Sequence, residues 1–200
     1  MLSDLDGVLV DSKASVMRGW RRWAAERGVP ADGLEQVVLG RTSSEAVAKL
    51  APGLDPDVEG HVVERLQTAD SADVKALPGA ARLLNGGALP VAVVTSGTPD
   101  LARTRLRQAG LPLPEVLVTS EQVRRGKPDP EGYLLGARRL GVAPEHCVVL
   151  EDAPVGIEAG LAAGMRVVAV ATSHTRAELA RAHQIVPSVD AWLESDESGG

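Results

Sequence analysis

Phenylalanine is absent from the 200 residues, and aromatic side chains together make up only 2%. The core must therefore be filled by Val, Leu, Ile and Ala, and stacking platforms for nucleobases are scarce. A single cysteine, Cys147, excludes an internal disulfide. It lies in the apolar run before Glu151, where a packed, inert thiol in a reducing compartment is expected. A basic surplus is also missing: the net charge of −6 and pI near 5.3 supply no cationic surface for nucleic acid or an anionic membrane. A small anion must find local positive charge instead. No apolar run approaches the roughly 18 residues of a membrane span, and the first residues carry acids where a secretory leader carries bases. A cytoplasmic protein is expected. Internal repeats and low-complexity segments are absent, and the length fits one domain or a core with a small insert.

What is present begins at the first residues, Met1-Leu2-Ser3-Asp4-Leu5-Asp6-Gly7. In an extended chain alternate side chains share a face, so Asp4 and Asp6 project together while Leu5 turns inward. Gly7 then lets the backbone swing away. An ordinary aspartate is ionised at neutral pH, which suits Asp4 as a nucleophile toward phosphorus and as a ligand for a hard divalent cation. Asp6 stands one step on, placed for proton transfer.

Two patterns divide the rest of the chain. From residue 14 to 27 the apolar residues Val16, Trp20, Trp23 and Ala24 recur at helical spacing, with Gly28 and Pro30 ending the helix. Short helices are expected at about 32–39 and 43–51, the second opened by a capping box of Thr42 and Glu45, and a longer one from Pro56 to about Asp70. From Leu77-Pro78-Gly79 onward, short apolar runs alternate with amphipathic helices, which predicts a parallel sheet with helices on its faces. The strands fall at about 90–95, 115–119, 146–150 and 166–170, with an edge strand at Ile185-Val186. Helices are expected at about 80–85, 99–109, 130–140 and 154–163, and a last capped helix opens at Thr175 with Glu178 three residues on. Residues 195–200 read as a disordered tail.

Three further stretches join Asp4 and Asp6. An apolar strand ends in Thr95-Ser96-Gly97-Thr98, a lysine sits in Arg125-Gly126-Lys127-Pro128, and a second strand ends in Glu151-Asp152. All lie at strand ends or in the loops after them, where open parallel sheets bind ligands. With these four in order, the chain resembles the haloacid dehalogenase superfamily of phosphatases, in its subgroup with a small helical cap. From Leu77 onward it is similar to bacterial hexitol and sugar phosphatases and to fungal glycerol and 2-deoxyglucose phosphate phosphatases. Departures from the family pattern are Ser3, Val8 and Ala153, and none removes a catalytic group.

The resemblance implies an α/β fold: a Rossmann-like core of residues 1–12 and 77–200 with an all-α cap inserted at 13–76. It implies that the first strand is central, between those leading to Thr95 and to Glu151. Asp4 would attack phosphorus and Asp6 would protonate the leaving group, so Asp6 would have to be protonated when substrate arrives. Mg2+ would bind Asp4, the Asp6 carbonyl, Asp152 and Glu151, the last directly or through water. Lys127 would offset the charge, while Thr95, Ser96 and Gly97 hold phosphoryl oxygens. The cap turn Gly40-Arg41-Thr42 is the candidate reader of the leaving group. The expected partner is a small phosphorylated metabolite and the expected state a monomer, with a homodimer as the alternative. The four histidines, scattered without ligand spacing, are expected at the surface. A β-phosphoglucomutase-like mutase and a phosphoglycolate or glycerol phosphate phosphatase share the motifs. A receiver-type signalling module does not, since it places its acid pair before the acceptor and has no helical insert.

Overall fold

The computed structural model describes residues 1–85 and 90–197. In chain order the elements are β1 (Leu2–Ser3), β2 (Val10–Asp11), α1 (Lys13–Arg27), α2 (Leu34–Val38), α3 (Ser43–Leu50), α4 (Pro56–Ala69), β3 (Lys75–Ala76) and α5 (Ala80–Asn85). There follow β4 (Ala92–Val94), α6 (Pro99–Gln108), β5 (Val116–Val118), α7 (Glu131–Leu140), β6 (Val148–Glu151), α8 (Pro154–Ala162), β7 (Arg166–Val170), β8 (Gln184–Val186) and α9 (Val189–Glu197).

Six strands form one parallel sheet in the order β5-β4-β1-β6-β7-β8, so β1 is central, as the family resemblance implied. Leu2 pairs with Ala92 on one side and Val149 on the other, which brings the ends of β1, β4 and β6 to a common edge. Alternate residues split between two apolar layers. Val93, Leu150 and Val168 face one, whereas Leu2, Ala92, Val94, Val149 and Val167 face the other. This two-sided burial is why the strands read as continuous apolar runs. Cys147 is buried in the second layer, and burial pushes its thiol up from the usual value, as expected of an inert thiol.

Helices α1 to α4 hold a separate apolar cluster centred on Trp20 and Trp23, whose rings meet edge to face at 5.4 Å. The predicted capping box forms at α3: the Thr42 side chain accepts from the Glu45 amide, and the Glu45 carboxylate accepts from the Thr42 amide. A short antiparallel ribbon, β2 with β3, ties the chain where it leaves the sheet region to where it returns. Two-residue strands carry no periodicity, and this ribbon was not foreseen.

Two expectations near the C-terminus are corrected. Thr175 and Glu178 make their reciprocal bonds, but residues 176–180 form turns, not a helix. Only Leu179 of that segment is buried, so no apolar face offsets the cost of propagating a helix. Conversely, α9 runs through Glu197 where a tail from Ser195 was expected. Ser188 caps it through the Ala191 amide, and Val189 and Trp192 pack into the core. Residues 198–200 of that expected tail lie outside the described residues.

Candidate active site

The sheet edge gathers all four motifs into one cavity of about 280 Å3, closed from the opposite side by α1, α4 and the turn after α2. Asp4 follows β1 directly and is held by its amide bond to the Leu150 carbonyl at 2.9 Å. Gly7 has φ +79, and a Cβ there would lie 2.0 Å from Asp152 Oδ2 and 2.7 Å from Ser173 Oγ. A glycine is therefore what lets this loop close against the acid from β6. Thr172, in the loop after β7, donates to the Gly7 carbonyl. That loop was not singled out from the sequence, and it forms a further wall of the site.

Lys127 is buried between two carboxylates. Its Nζ lies 2.5 Å from Asp4 Oδ1 and 2.6 Å from Glu151 Oε1, and 5.2 Å from the centre of the Tyr133 ring. Burial alone would lower its ammonium group, but Asp4 and Glu151 outweigh it and hold it well above the ordinary lysine value. Glu151 is fully engaged: Oε1 also accepts from Tyr133 Oη at 2.8 Å, and Oε2 accepts the amides of Asp152 and Ala153.

Asp4, Glu151 and Asp152 bring carboxylate oxygens within 4.8 Å of one another, all three buried. Burial pushes Asp4 up to about 7; Lys127 opposes this, while Glu151 and Asp6 add to it. Without a cation Asp4 is thus not the ordinary ionised aspartate the sequence suggests. Asp152 is pushed well above its usual range by burial, with Glu151 and Asp4 adding to it. When ionised, three buried carboxylates facing one ammonium leave a negative surplus that a divalent cation would balance, and their all-oxygen donor set fits Mg2+. These three residues form the candidate Mg2+ site. The Asp6 side chain is outside the cluster; the expectation there concerns its carbonyl.

Asp6 differs from expectation in its company. Ser12 Oγ donates to Oδ1 at 2.5 Å, and Arg105 Nη1 donates to Oδ2 at 2.6 Å. Arg105, on α6 and 3% exposed, also donates from Nη2 to Gln67 Oε1 at 2.6 Å, so it links Asp6 to α4. Glu64, one turn before Gln67, accepts from the Thr98 amide at 3.0 Å. Sequence reasoning missed all three, although a signal existed. Arg105 follows Leu101 by four residues, and Glu64 and Gln67 follow Gly60 and Val63 by four, so polar groups occupy otherwise apolar stripes.

Thr95, Ser96 and Gly97 line the cavity beside Lys127. Thr95 Oγ1 accepts from the Gly97 amide at 3.1 Å, and Ser96 Oγ donates to the Gly40 carbonyl at 3.3 Å. Gly40 (φ +77) packs so tightly on Val155 that a Cβ would lie 2.7 Å from its Cγ2. Arg41 also lines the cavity, but its Nη1 donates to the carbonyls of Gln36 and Val37, at the end of α2. Thr42 lies with Gly126 in a smaller neighbouring pocket. Of the histidines, His61, His146 and His183 are exposed, whereas His174 is half-buried with Nδ1 3.0 Å from the Asp152 carbonyl.

A parallel sheet whose central strand ends in a buried aspartate, capped by a helical cluster, defines a hydrolase class. Residues 1–164 match the model of the haloacid dehalogenase-like hydrolases, and the chain belongs to that family. Hexitol phosphatase A of Escherichia coli strain K12 is 45% identical over 175 residues, covering 84% of this chain and 81% of its own. Validoxylamine A 7'-phosphate phosphatase of Streptomyces hygroscopicus subsp. limoneus is 38% identical over 195 residues, covering 90% and 89%. Among solved structures, a HAD family hydrolase of Deinococcus radiodurans R1 with bound phosphate and sodium superposes with a TM-score of 0.72 at 31% identity, covering 98% and 93%. Among the described residues, no helix is long and apolar enough to cross a membrane.

Proposed function

We propose that this protein is a Mg2+-dependent phosphatase that hydrolyses small sugar or polyol phosphates through a phosphoryl group carried on Asp4. The observation that carries this reading is the buried set of Asp4, Glu151 and Asp152 around Lys127 at the floor of a capped cavity. Relatives named as phosphatases of a hexitol and of validoxylamine A 7'-phosphate support the substrate class.

Mg2+, when bound, offsets charge on the phosphoryl group and on the acids that hold it. An Asp4 oxygen attacks phosphorus as the bond to the leaving oxygen breaks, and Asp6 supplies the proton that the leaving alkoxide takes. Asp6 then accepts a proton from the water that hydrolyses the acyl phosphate. To act in this way the Asp6 carboxyl must leave Arg105 and Ser12, which hold it here. Lys127 keeps Asp4 in place and neutralises phosphoryl charge, held itself by Glu151. The Thr95 hydroxyl and the amides of Ser96 and Gly97 receive phosphoryl oxygens, and the Gly97 amide exchanges its bond to Thr95 for one to substrate.

In this reading residues 1–12 and 77–200 are the core and 13–76 the cap. Gly40 and Thr42 seat the cap against the loops that carry Asp152 and Lys127, while Arg41, the candidate reader of the leaving group, is held by the carbonyls at the end of α2. A monomer suffices, since one chain supplies every group named, and the working place is the cytoplasm. The test is phosphate release from p-nitrophenyl phosphate with Mg2+ and with EDTA. We expect activity with Mg2+, none with EDTA, and a loss of at least about 10³-fold in kcat for Asp4→Asn. Turnover retained by folded Asp4→Asn would sink the assignment.

A further inference from the structure

The four cations that line the cavity, Lys13, Arg41, Arg105 and Lys127, each have an acceptor within this chain. Lys13 pairs with Glu35 at the rim, Arg41 with two backbone carbonyls, Arg105 with Asp6 and Gln67, and Lys127 with Asp4 and Glu151. Lys127 belongs to the phosphoryl end. Beyond it, among the described residues, each cation on the cavity wall already faces an acceptor; Arg105 Nε is buried without a hydrogen-bond partner, but Asp6 already offsets the charge of that guanidinium. A charged leaving group would have to break one of these pairs and bury its charge beside acids, which is costly.

Two polar groups on the same wall are differently placed. Glu64 is 6% exposed and spends Oε2 on the Thr98 amide, which leaves Oε1 without a partner among the described residues. Gln67 is 3% exposed and gives Oε1 to Arg105, which leaves its NH2 without a partner among the described residues. Both residues line the cavity, and both sit on the buried stripe of α4, where an apolar residue would pack at less cost. One supplies an acceptor and the other a donor, one helical turn apart. That pair matches neighbouring hydroxyl groups, each of which both donates and accepts. The apolar side chains of Trp20 and Leu101 supply wall for the carbon chain.

We propose that the leaving group is an uncharged polyol and that α4, through Glu64 and Gln67, reads its hydroxyls, with Arg105 positioning Gln67. This rests on the phosphatase reading and sharpens it: the discriminating contacts lie on α4 and not on the turn after α2. A phosphoglycolate phosphatase or a mutase handling a bisphosphate would need a free cation where this cavity has a carboxylate and an amide.

The experiment measures phosphate release with saturating Mg2+ from a hexitol phosphate, phosphoglycolate and p-nitrophenyl phosphate, for the wild type, Glu64→Gln and Gln67→Glu. Both substitutions are isosteric and retain the oxygen that accepts from Thr98 or from Arg105, and melting curves confirm that each variant folds. In the wild type, kcat/KM for the hexitol phosphate exceeds that for phosphoglycolate by roughly tenfold or more. In each variant the ratio of kcat/KM on hexitol phosphate to that on p-nitrophenyl phosphate, which has no hydroxyls, falls by roughly tenfold, mainly through KM. Equal wild-type efficiency on phosphoglycolate would overturn the uncharged leaving group. Ratios unchanged in both variants would overturn the role of α4. Failure of the wild type on p-nitrophenyl phosphate is a different result: it removes the phosphatase reading, and this inference with it.

Discussion

At Gly7 a single methyl group decides whether two loops can meet. Its Cβ would lie 2.0 Å from Asp152 Oδ2, and the residue already has φ +79, so Gly7→Ala adds backbone strain to a clash with a metal-site acid. We expect a loss of about 1–3 kcal/mol in stability, read by denaturant unfolding, together with a much weaker response to Mg2+. Asp6→Asn should act otherwise, because Asn is isosteric and the metal role assigned to Asp6 uses its carbonyl. The expected outcome is a larger fall in kcat for alkyl phosphates than for p-nitrophenyl phosphate, whose leaving group needs no proton. Equal falls would remove the proton-transfer role. The residues legible from the sequence were those whose type and spacing the chemistry fixes: Asp4 with Asp6, Lys127, and Glu151 with Asp152. Arg105, Glu64 and Gln67 were hidden because they sit within regular helices, where a polar residue is normally a solvated one.

Among elements, α7 shows how a helix with no catalytic motif still shapes the site. It carries Tyr133, 1% exposed, whose hydroxyl donates to Glu151 Oε1 and whose ring lies near the Lys127 ammonium. Tyr133→Phe keeps the ring and removes one bond to a buried carboxylate, so a cost of about 1.5–3 kcal/mol is expected, visible as a lower Tm. Lys127 retains Asp4 and Glu151, and kcat should fall by less than about tenfold. A fall as deep as that of Asp4→Asn would place the tyrosine in the reaction itself. Element by element, the strands were legible because burial on both faces writes them as short apolar runs. The helix ends at Gly28 and Gly141 were legible because both glycines adopt the left-handed conformation that closes a helix. The Thr175 turn shows the limit of such reasoning: a capping box forms locally, but tertiary burial decides whether a helix continues from it. In α9 the signal was present, with Ser188 as cap and Val189, Trp192 and Leu193 on one face, and it lay next to an acidic stretch that reads as tail.

Over the whole molecule, the cost of the site and its use are coupled through charge. The sheet order, which the sequence could not display, carries Asp4 from β1 and the Glu151-Asp152 pair from β6 to one buried point, where Lys127 is, among the described residues, their sole buried cation partner. Burial makes these carboxylates costly to ionise until a divalent cation offsets their charge, so Mg2+ should stabilise the native chain over the unfolded one. At free Mg2+ about 100 times its dissociation constant the gain is about 2.7 kcal/mol. For a chain of this size that raises Tm by roughly 5–10 °C over the value in EDTA. Asp152→Asn separates the two effects, because it removes one buried carboxylate that is costly to ionise, and with it one ligand, while keeping shape. In EDTA its Tm should equal or exceed that of the wild type, while addition of Mg2+ should raise it by less than about 2 °C. Melting curves for both proteins across a Mg2+ series decide this without any assay of turnover. A wild type indifferent to Mg2+, or an Asp152→Asn variant that still gains from it, would show that the carboxylate cluster is not where the ion binds.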